Sequence, residues 1–238
     1  MKQIRWFRGL RVGFCMVMAI GCAGPSSRMD DYLIGFQPVS GAHPIALPLL
    51  IGVVIALPEE ELARPTTPSK EALEKIGQRI EKELQESPHI KVRRIFPTII
   101  IPAGGLGALS VERVRDSVKD RDVSKVIVAV ATSRPARRVY FSRVEDQLFA
   151  RMDAALVDLT TNQVLQSENG QDDYVLAQSY FYNEFSYPRL YYRTFTFAGP
   201  FTVVEGNPFK ALGEMAFSGA ADQLGMKFRR LIDPTPLS

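Results

Sequence analysis

Apolar residues follow two rhythms along this chain, and the rhythm changes near its middle. Leu49-Leu50-Ile51-Gly52-Val53-Val54-Ile55-Ala56-Leu57 is an unbroken apolar run. A run of that length suits a strand covered on both faces, as parallel strands usually are. Pro58 predicts its end. A helix is expected next, with Thr67 or Ser69 as N-cap and Pro68 tolerable in the first turn. Its stripe is Leu73, Ile76, Ile80 and Leu84, its other face is charged, and Pro88 closes it. A second strand over about 92–101 runs into Pro102-Ala103-Gly104-Gly105-Leu106-Gly107. Ser110 is placed to cap a short helix reaching about Lys119, and 125–131 reads as another buried strand.

Beyond that point the pattern turns antiparallel. Residues 139–144 and 148–159 read as strands, Leu159-Thr160-Thr161-Asn162-Gln163 as a tight turn, and 164–167 as the returning strand. Asn207 and Pro208 open a long final helix to about Leu231, with Phe209, Leu212 or Gly213, Ala216, Ala220, Leu224 and Phe228 along one line. The expectation is an α/β fold: one domain, a mixed β-sheet with packed helices, an antiparallel meander in the second half and a long C-terminal helix. The 238 residues, 46% apolar and 23% charged, are enough for one such domain.

Charge and cysteine usage narrow the function classes. The formal net charge is +3, but Lys2, Arg5, Arg8 and Arg11 contribute four positive charges within residues 1–21, so the remainder carries −1. A near-neutral body has no electrostatic footprint for nucleic acid. The basic start is followed by Val12-Gly13-Phe14-Cys15-Met16-Val17-Met18-Ala19-Ile20 and then Gly21-Cys22. That apolar run is too short to span a bilayer and reads as an export signal. Its ending looks like a bacterial lipoprotein signal, with cleavage after Gly21 and acylation of the Cys22 thiol. The expected organisation is a signal peptide at 1–21, a lipidated tether at 22–44 and an α/β domain at 45–238. Within the tether, Tyr32, Leu33, Ile34 and Phe36 are apolar enough to dock on the domain. Ala23 after the thiol suggests the outer membrane, inner leaflet, facing the periplasm. No thiol then remains for disulfide, metal or catalysis.

Chemistry-bearing constellations are few. Gly104-Gly105-Leu106-Gly107 joins a strand to a helix, a setting that can hold phosphate, but it lacks a following Gly-Lys-Ser/Thr, and a tight connection is the simpler reading. His43 and His89 have no neighbours at ligand or triad spacing, so neither a metal nor a catalytic histidine is expected. Glu59-Glu60-Glu61 reads as a solvated loop and helix start, Asp158 as the opener of the turn before Thr160, and Asp172-Asp173 lacks the ligand loop of a calcium site. Arg134, Arg137 and Arg138, read as lying between strands with Arg143 and Arg151 nearby, suit either lipid headgroups or acidic glycan, or a solvated edge that resists aggregation. The aromatic segment at about 172–201 is the main oddity, with two arms at 174–183 and 190–199 flanking a polar turn at 184–189. Tyrosines beside arginines are the composition of binding hot spots, so Tyr182, Phe185, Tyr187, Arg189, Tyr191, Tyr192 and Arg193 are the candidate partner contacts.

Leu47-Pro48-Leu49-Leu50-Ile51-Gly52-Val53, Pro97-Thr98-Ile99-Ile100-Ile101-Pro102-Ala103-Gly104-Gly105 and Met152-Asp153-Ala154-Ala155-Leu156-Val157-Asp158-Leu159 resemble the landmarks of rhombotarget-type bacterial lipoproteins. More distantly, the layout is similar to the amino-terminal domain of TolB and to the curli-secretion lipoprotein. The likeness covers most of 46–170 and the final helix, and the aromatic segment is longer than that family's. The resemblance implies an envelope protein and no particular enzymatic activity. The expected function is a non-enzymatic, lipid-anchored envelope protein that acts as a binding module, without cofactor, holding the bilayer through Cys22 and an envelope protein through its aromatic insertion. The alternative is an oligomeric secretion or pore subunit, in which that hairpin joins a membrane barrel.

Overall fold

Residues well before the long apolar strand already belong to the folded domain. The computed structural model describes residues 27–39, 45–104, 107–118, 122–139, 143–181, 192–195 and 208–234. A short helix α1 (Met29–Tyr32) leads into two minimal strands, β1 (Leu33–Ile34) and β2 (Gln37–Pro38). The apolar run forms β3 (Leu49–Pro58), continued by α2 (Glu59–Leu62) and α3 (Lys70–Gln85). Then come β4 (Ile90–Ile101), β5 (Leu109–Ser110), α4 (Val111–Ser117) and three long strands, β6 (Lys125–Val139), β7 (Arg143–Asp158) and β8 (Gln163–Phe181). The short β9 (Tyr192–Phe195) and α5 (Pro208–Ile232) complete the described elements.

Of the two caps offered for α3, Ser69 takes the role rather than Thr67; Ser110 caps α4 as expected, and Asn207, expected to cap the last helix, lies outside the described residues. Ser69 Oγ accepts from Ala72 N at 3.2 Å and Ser110 Oγ from Arg113 N at 3.2 Å, satisfying amides that a helix start otherwise leaves open. Leu73, Ile76, Ile80 and Leu84 are all buried along one face of α3.

Among the described residues, one mixed sheet has the order β2-β8-β7-β6-β3-β4, with β9 added on β8. β3 is parallel to both neighbours, β4 and β6, whereas β6, β7, β8 and β9 pair antiparallel in succession. This is the expected α/β single domain with its mixed sheet, meander and long last helix. Nearly every residue of β3 is buried because both faces are covered. One face packs α3 and α5 against Ile51, Val53 and Ile55, with Phe217, Leu224 and Phe228 at the centre. The other packs Val114 and Val118 with Met29 against Val54, Ala56 and Val128.

Three boundaries differ from the sequence reading. Part of the expected tether is built into the fold: Met29 is fully buried, Leu33 pairs with Leu109, and Gln37 pairs with Gln163. The docking expected of Tyr32, Leu33, Ile34 and Phe36 is met: three pack on the core, and Ile34, though 54% exposed, pairs with Ser110. Secondly, Arg134, Arg137 and Arg138 do not lie between strands. β6 continues through them to Val139, paired with β7 down to Val139↔Val144, although β3 leaves it at Val130. Pro135 fits this stretch because it has a partner strand on one side only. Thirdly, β8 runs without a break through Asp172, so the aromatic segment starts as a continuation of the meander.

The turn between β7 and β8 forms as the residues require. Asp158 Oδ1 accepts from Thr160 N at 2.8 Å and Thr161 N at 3.3 Å, Oδ2 lies 3.4 Å from Lys125 Nζ, and Asn162 takes φ 56°. Burial pushes the Asp158 carboxyl up, but the two amides and Lys125 outweigh it and hold it below its usual range. A carboxylate whose pKa falls on folding stabilises above its unfolded pKa and loses that contribution as pH drops through the folded value. Asp158→Ala is therefore expected to cost about 1 kcal/mol at neutral pH. The gap from the parent should close in acid, as read by urea melts across pH. A gap that persists in acid would assign the effect to packing.

Candidate functional site

The order β4-β3-β6 places a switch in direction at the ends of β3 and β6. The chain leaves β3 through α3 on one face to reach β4, then crosses on the α4 face to reach β6. Open α/β sheets form crevices outside the carboxyl ends of strands at such a point. A cleft of about 450 Å³ lies there, lined by Arg28 and Tyr32 of the N-terminal segment, Pro58 at the end of β3, Glu60, Glu61 and Arg64 after it, Thr132, Ser133 and Arg134 of β6, Phe149, Ala150, Arg151 and Asp153 of β7, and Gln171 of β8.

Its floor is a set of internal clasps. Glu61 is 4% exposed, so the glutamate run is not simply solvated. Its carboxylate accepts from Ser133 Oγ at 2.7 Å and lies 3.0 Å from Arg64 Nη1, and Arg64 also donates to the Ser133 carbonyl. This clasp ties the segment after β3 to the root of the β6 extension. Asp153, 2% exposed, takes a forked pair from Arg151 at 2.7 and 2.8 Å and accepts from Arg28 N at 2.9 Å. The second clasp holds the N-terminal segment on β7. Burial pushes the Tyr32 phenol up, and the Asp153 charge adds to it against the opposing pull of Arg28.

The glycine loop after β4 is also occupied from within. Ala103 N donates to Glu59 Oε2 at 3.2 Å and Gly104 N to Glu60 Oε1 at 2.9 Å. The Gly104 amide is the main cause holding the Glu60 carboxyl below its usual range. Two carboxylates at these amides oppose a phosphate, and Gly104, at φ 78°, supplies the tight connection.

Above the cleft the β6–β7 extension is basic. Arg134 and Arg138 hold their guanidiniums 5.3 and 5.1 Å from the centre of the Phe149 ring, a cation–π arrangement. Arg137 is forked onto Asp146 at 2.7 and 3.2 Å.

The structure distributes the sequence candidates unevenly. Cys22, Gly21, His43, Tyr182, Phe185, Tyr187, Arg189 and Tyr191 lie outside the described residues. Tyr192 and Arg193 are on β9, paired in backbone register with Phe181 and Tyr180, so the two aromatic arms do form a hairpin. His89 is exposed in the turn before β4, where its carbonyl accepts from Leu49 N, at the opposite end of the sheet from the cleft. Asp172 accepts from Asp173 N, and among the described residues no group of His, Cys, Asp and Glu could hold a metal ion. Arg28, Tyr32, Glu61, Ser133 and Asp153 were not legible as one site. They are far apart in sequence and carry no spacing motif.

No family model and no curated protein sequence matches the chain. Among solved structures, the chain is similar to the PelC dodecamer of Paraburkholderia phytofirmans, with 11% identity over 78% of this chain and 95% of that one and a TM-score of 0.37. It is similar to a homologue of the neuraminyllactose-binding hemagglutinin from Helicobacter pylori, with 10% identity over 82% and 86% and a TM-score of 0.33. A lipoprotein of Neisseria meningitidis is also similar, with 13% identity over 53% and 83% and a TM-score of 0.29. Likeness at this level assigns neither family nor activity, so the functional reading rests on the chain's own residues.

Proposed function

We propose that the chain is a non-enzymatic, lipid-anchored envelope protein whose single α/β domain works as a binding module held close to the membrane. One observation carries this reading. Met29 is already a core residue, and it stands only seven positions after Cys22 in the sequence. An acylated Cys22 would hold the cleft, with Arg28 and Tyr32 in its wall, near the leaflet rather than on a long tether. The leader before Cys22 and the resemblance to rhombotarget-type lipoproteins, with outer-membrane sorting, support the same reading. So does the cleft chemistry, where Ser133 donates to Glu61 and, separately, Arg151 pairs with Asp153. Among the described residues no helix is long and apolar enough to cross a membrane. The partner is an envelope protein, received by the aromatic hairpin that includes Tyr192 and Arg193.

Cys22→Ser is expected to move the protein from the membrane to the soluble fraction, or leave it unprocessed, and to abolish labelling with fatty acid. Retained label would overturn the anchor. The secretion or pore reading draws on the β8–β9 hairpin. Heat-stable oligomers on gels would favour that alternative.

A further inference from the structure

We propose that the extension formed by β6 and β7 beyond the end of β3 docks on the anionic phospholipid headgroups of the leaflet that holds the anchor. This rests on the reading of Cys22 and goes beyond it, because the contact is made by the folded domain. The extension begins where Val130 makes the last β6 pairing with β3 and reaches Val139, opposite Val144. Nine residues of strand project about 30 Å. Arg134, Arg137 and Arg138 are exposed along it, and Val139 near its tip is 71% exposed.

The charges on this extension do not cancel. Asp146 is taken by Arg137, and Glu145 is 5% exposed. Among the described residues, no salt bridge joins Arg134 or Arg138 to a carboxylate, and each holds its guanidinium over the Phe149 ring. Packing on a ring fixes a guanidinium while its N–H edges stay available, and those edges match a phosphate. The place of the extension selects a lipid rather than a soluble phosphate. Its root is where Arg28 N meets Asp153, and Cys22 lies six residues before Arg28. Six extended residues reach at most about 20 Å, which is shorter than the extension itself. Basic side chains kept this close to an anionic leaflet are drawn to it, and a basic patch is a known second hold beside a lipid chain.

The test uses residues 22–238 with Cys22→Ser, so that no acyl chain contributes, floated with vesicles of phosphatidylcholine alone or mixed with phosphatidylglycerol. The expected result is binding to the mixed vesicles only, lost in high salt as surface charge is screened. The triple variant Arg134→Gln, Arg137→Gln, Arg138→Gln should lower the partition coefficient about 100-fold, since each arginine near an anionic surface contributes roughly fivefold. Its melting temperature should match the parent's. Arg79→Gln, remote on α3 and paired with Asp222, should bind as the parent does. Equal binding to neutral vesicles, or binding unchanged in the triple variant, would overturn the proposal. Release by millimolar glycerol phosphate would assign the arginines to a soluble ligand. Salt-sensitive capture of an acidic envelope protein without vesicle binding would assign them to a protein, and either result overturns bilayer docking. Fatty-acid labelling of Cys22 is read separately, so failure of the anchor and failure of the docking surface are distinguishable.

Discussion

Gly170→Ala is expected to destabilise the protein by about 3 kcal/mol or more, at the upper end of what overpacking a core costs. Gly170 lies in β8 opposite Met152, where α5 crosses the sheet. A Cβ built there would stand 1.9 Å from the Ala220 carbonyl oxygen and 2.8 Å from Leu224 N. Both are helix backbone, so no rotamer change relieves the clash. α5 cannot lift away cheaply either. Ala216, Phe217, Ala220, Ala221, Leu224 and Phe228 are all fully buried beneath it. At Gly213 the same helix touches the Thr66 carbonyl so closely that a Cβ would stand 1.8 Å from it. The sheet below and the segment before α3 therefore pin it at two backbone contacts. At this chain length each kcal/mol moves Tm by about 2–4 °C, so a fall of about 6–12 °C is expected in a thermal melt. A melt shifted by no more than about 1 °C would mean that α5 does not sit on β8 at this distance.

Met29→Ala should cost about 2–5 kcal/mol, the range for truncating a buried methionine. The same change in a solvated tether would stay within about 0.5 kcal/mol. Met29 is 0% exposed and packs in the cluster with Val54, Ala56, Leu109 and Val128. Its position is fixed on both sides, by Arg28 N on Asp153 and by the β1–β5 pairing after it. Loss of the side chain leaves a cavity that these backbone contacts keep from collapsing. The urea midpoint should fall while the m-value stays constant, because the surface exposed on unfolding is nearly unchanged. A midpoint equal to the parent's would return residues 27–39 to the tether and remove the short connection on which membrane apposition rests.

The elements that the sequence determined are those whose burial pattern is local. β3 announces itself because a strand covered on both faces must be apolar throughout. The stripe of α3, the caps at Ser69 and Ser110, the Asp158 turn and the buried line of α5 follow for similar reasons. Each depends on spacing within a few residues. The leader proposed before Cys22 rests on equally local features, a basic start and a short apolar run.

Tertiary structure decided everything that depends on a partner distant in sequence. Arg134-Pro135-Ala136-Arg137-Arg138 has the look of a loop until β7 is laid beside it. Phe149 then receives two of its guanidiniums, Asp146 takes the third, and the missing proline N–H falls where β6 has a single neighbour. Glu61 looks solvated in a run of three glutamates and is buried because Ser133 and Arg64 converge on it. Met29 looks like part of a tether and is core because the α4 face of the sheet leaves room for it. The cleft is the sum of such encounters where the chain reverses its winding about β3. Periodicity records which face of an element is covered, and only the packed sheet determines what covers it.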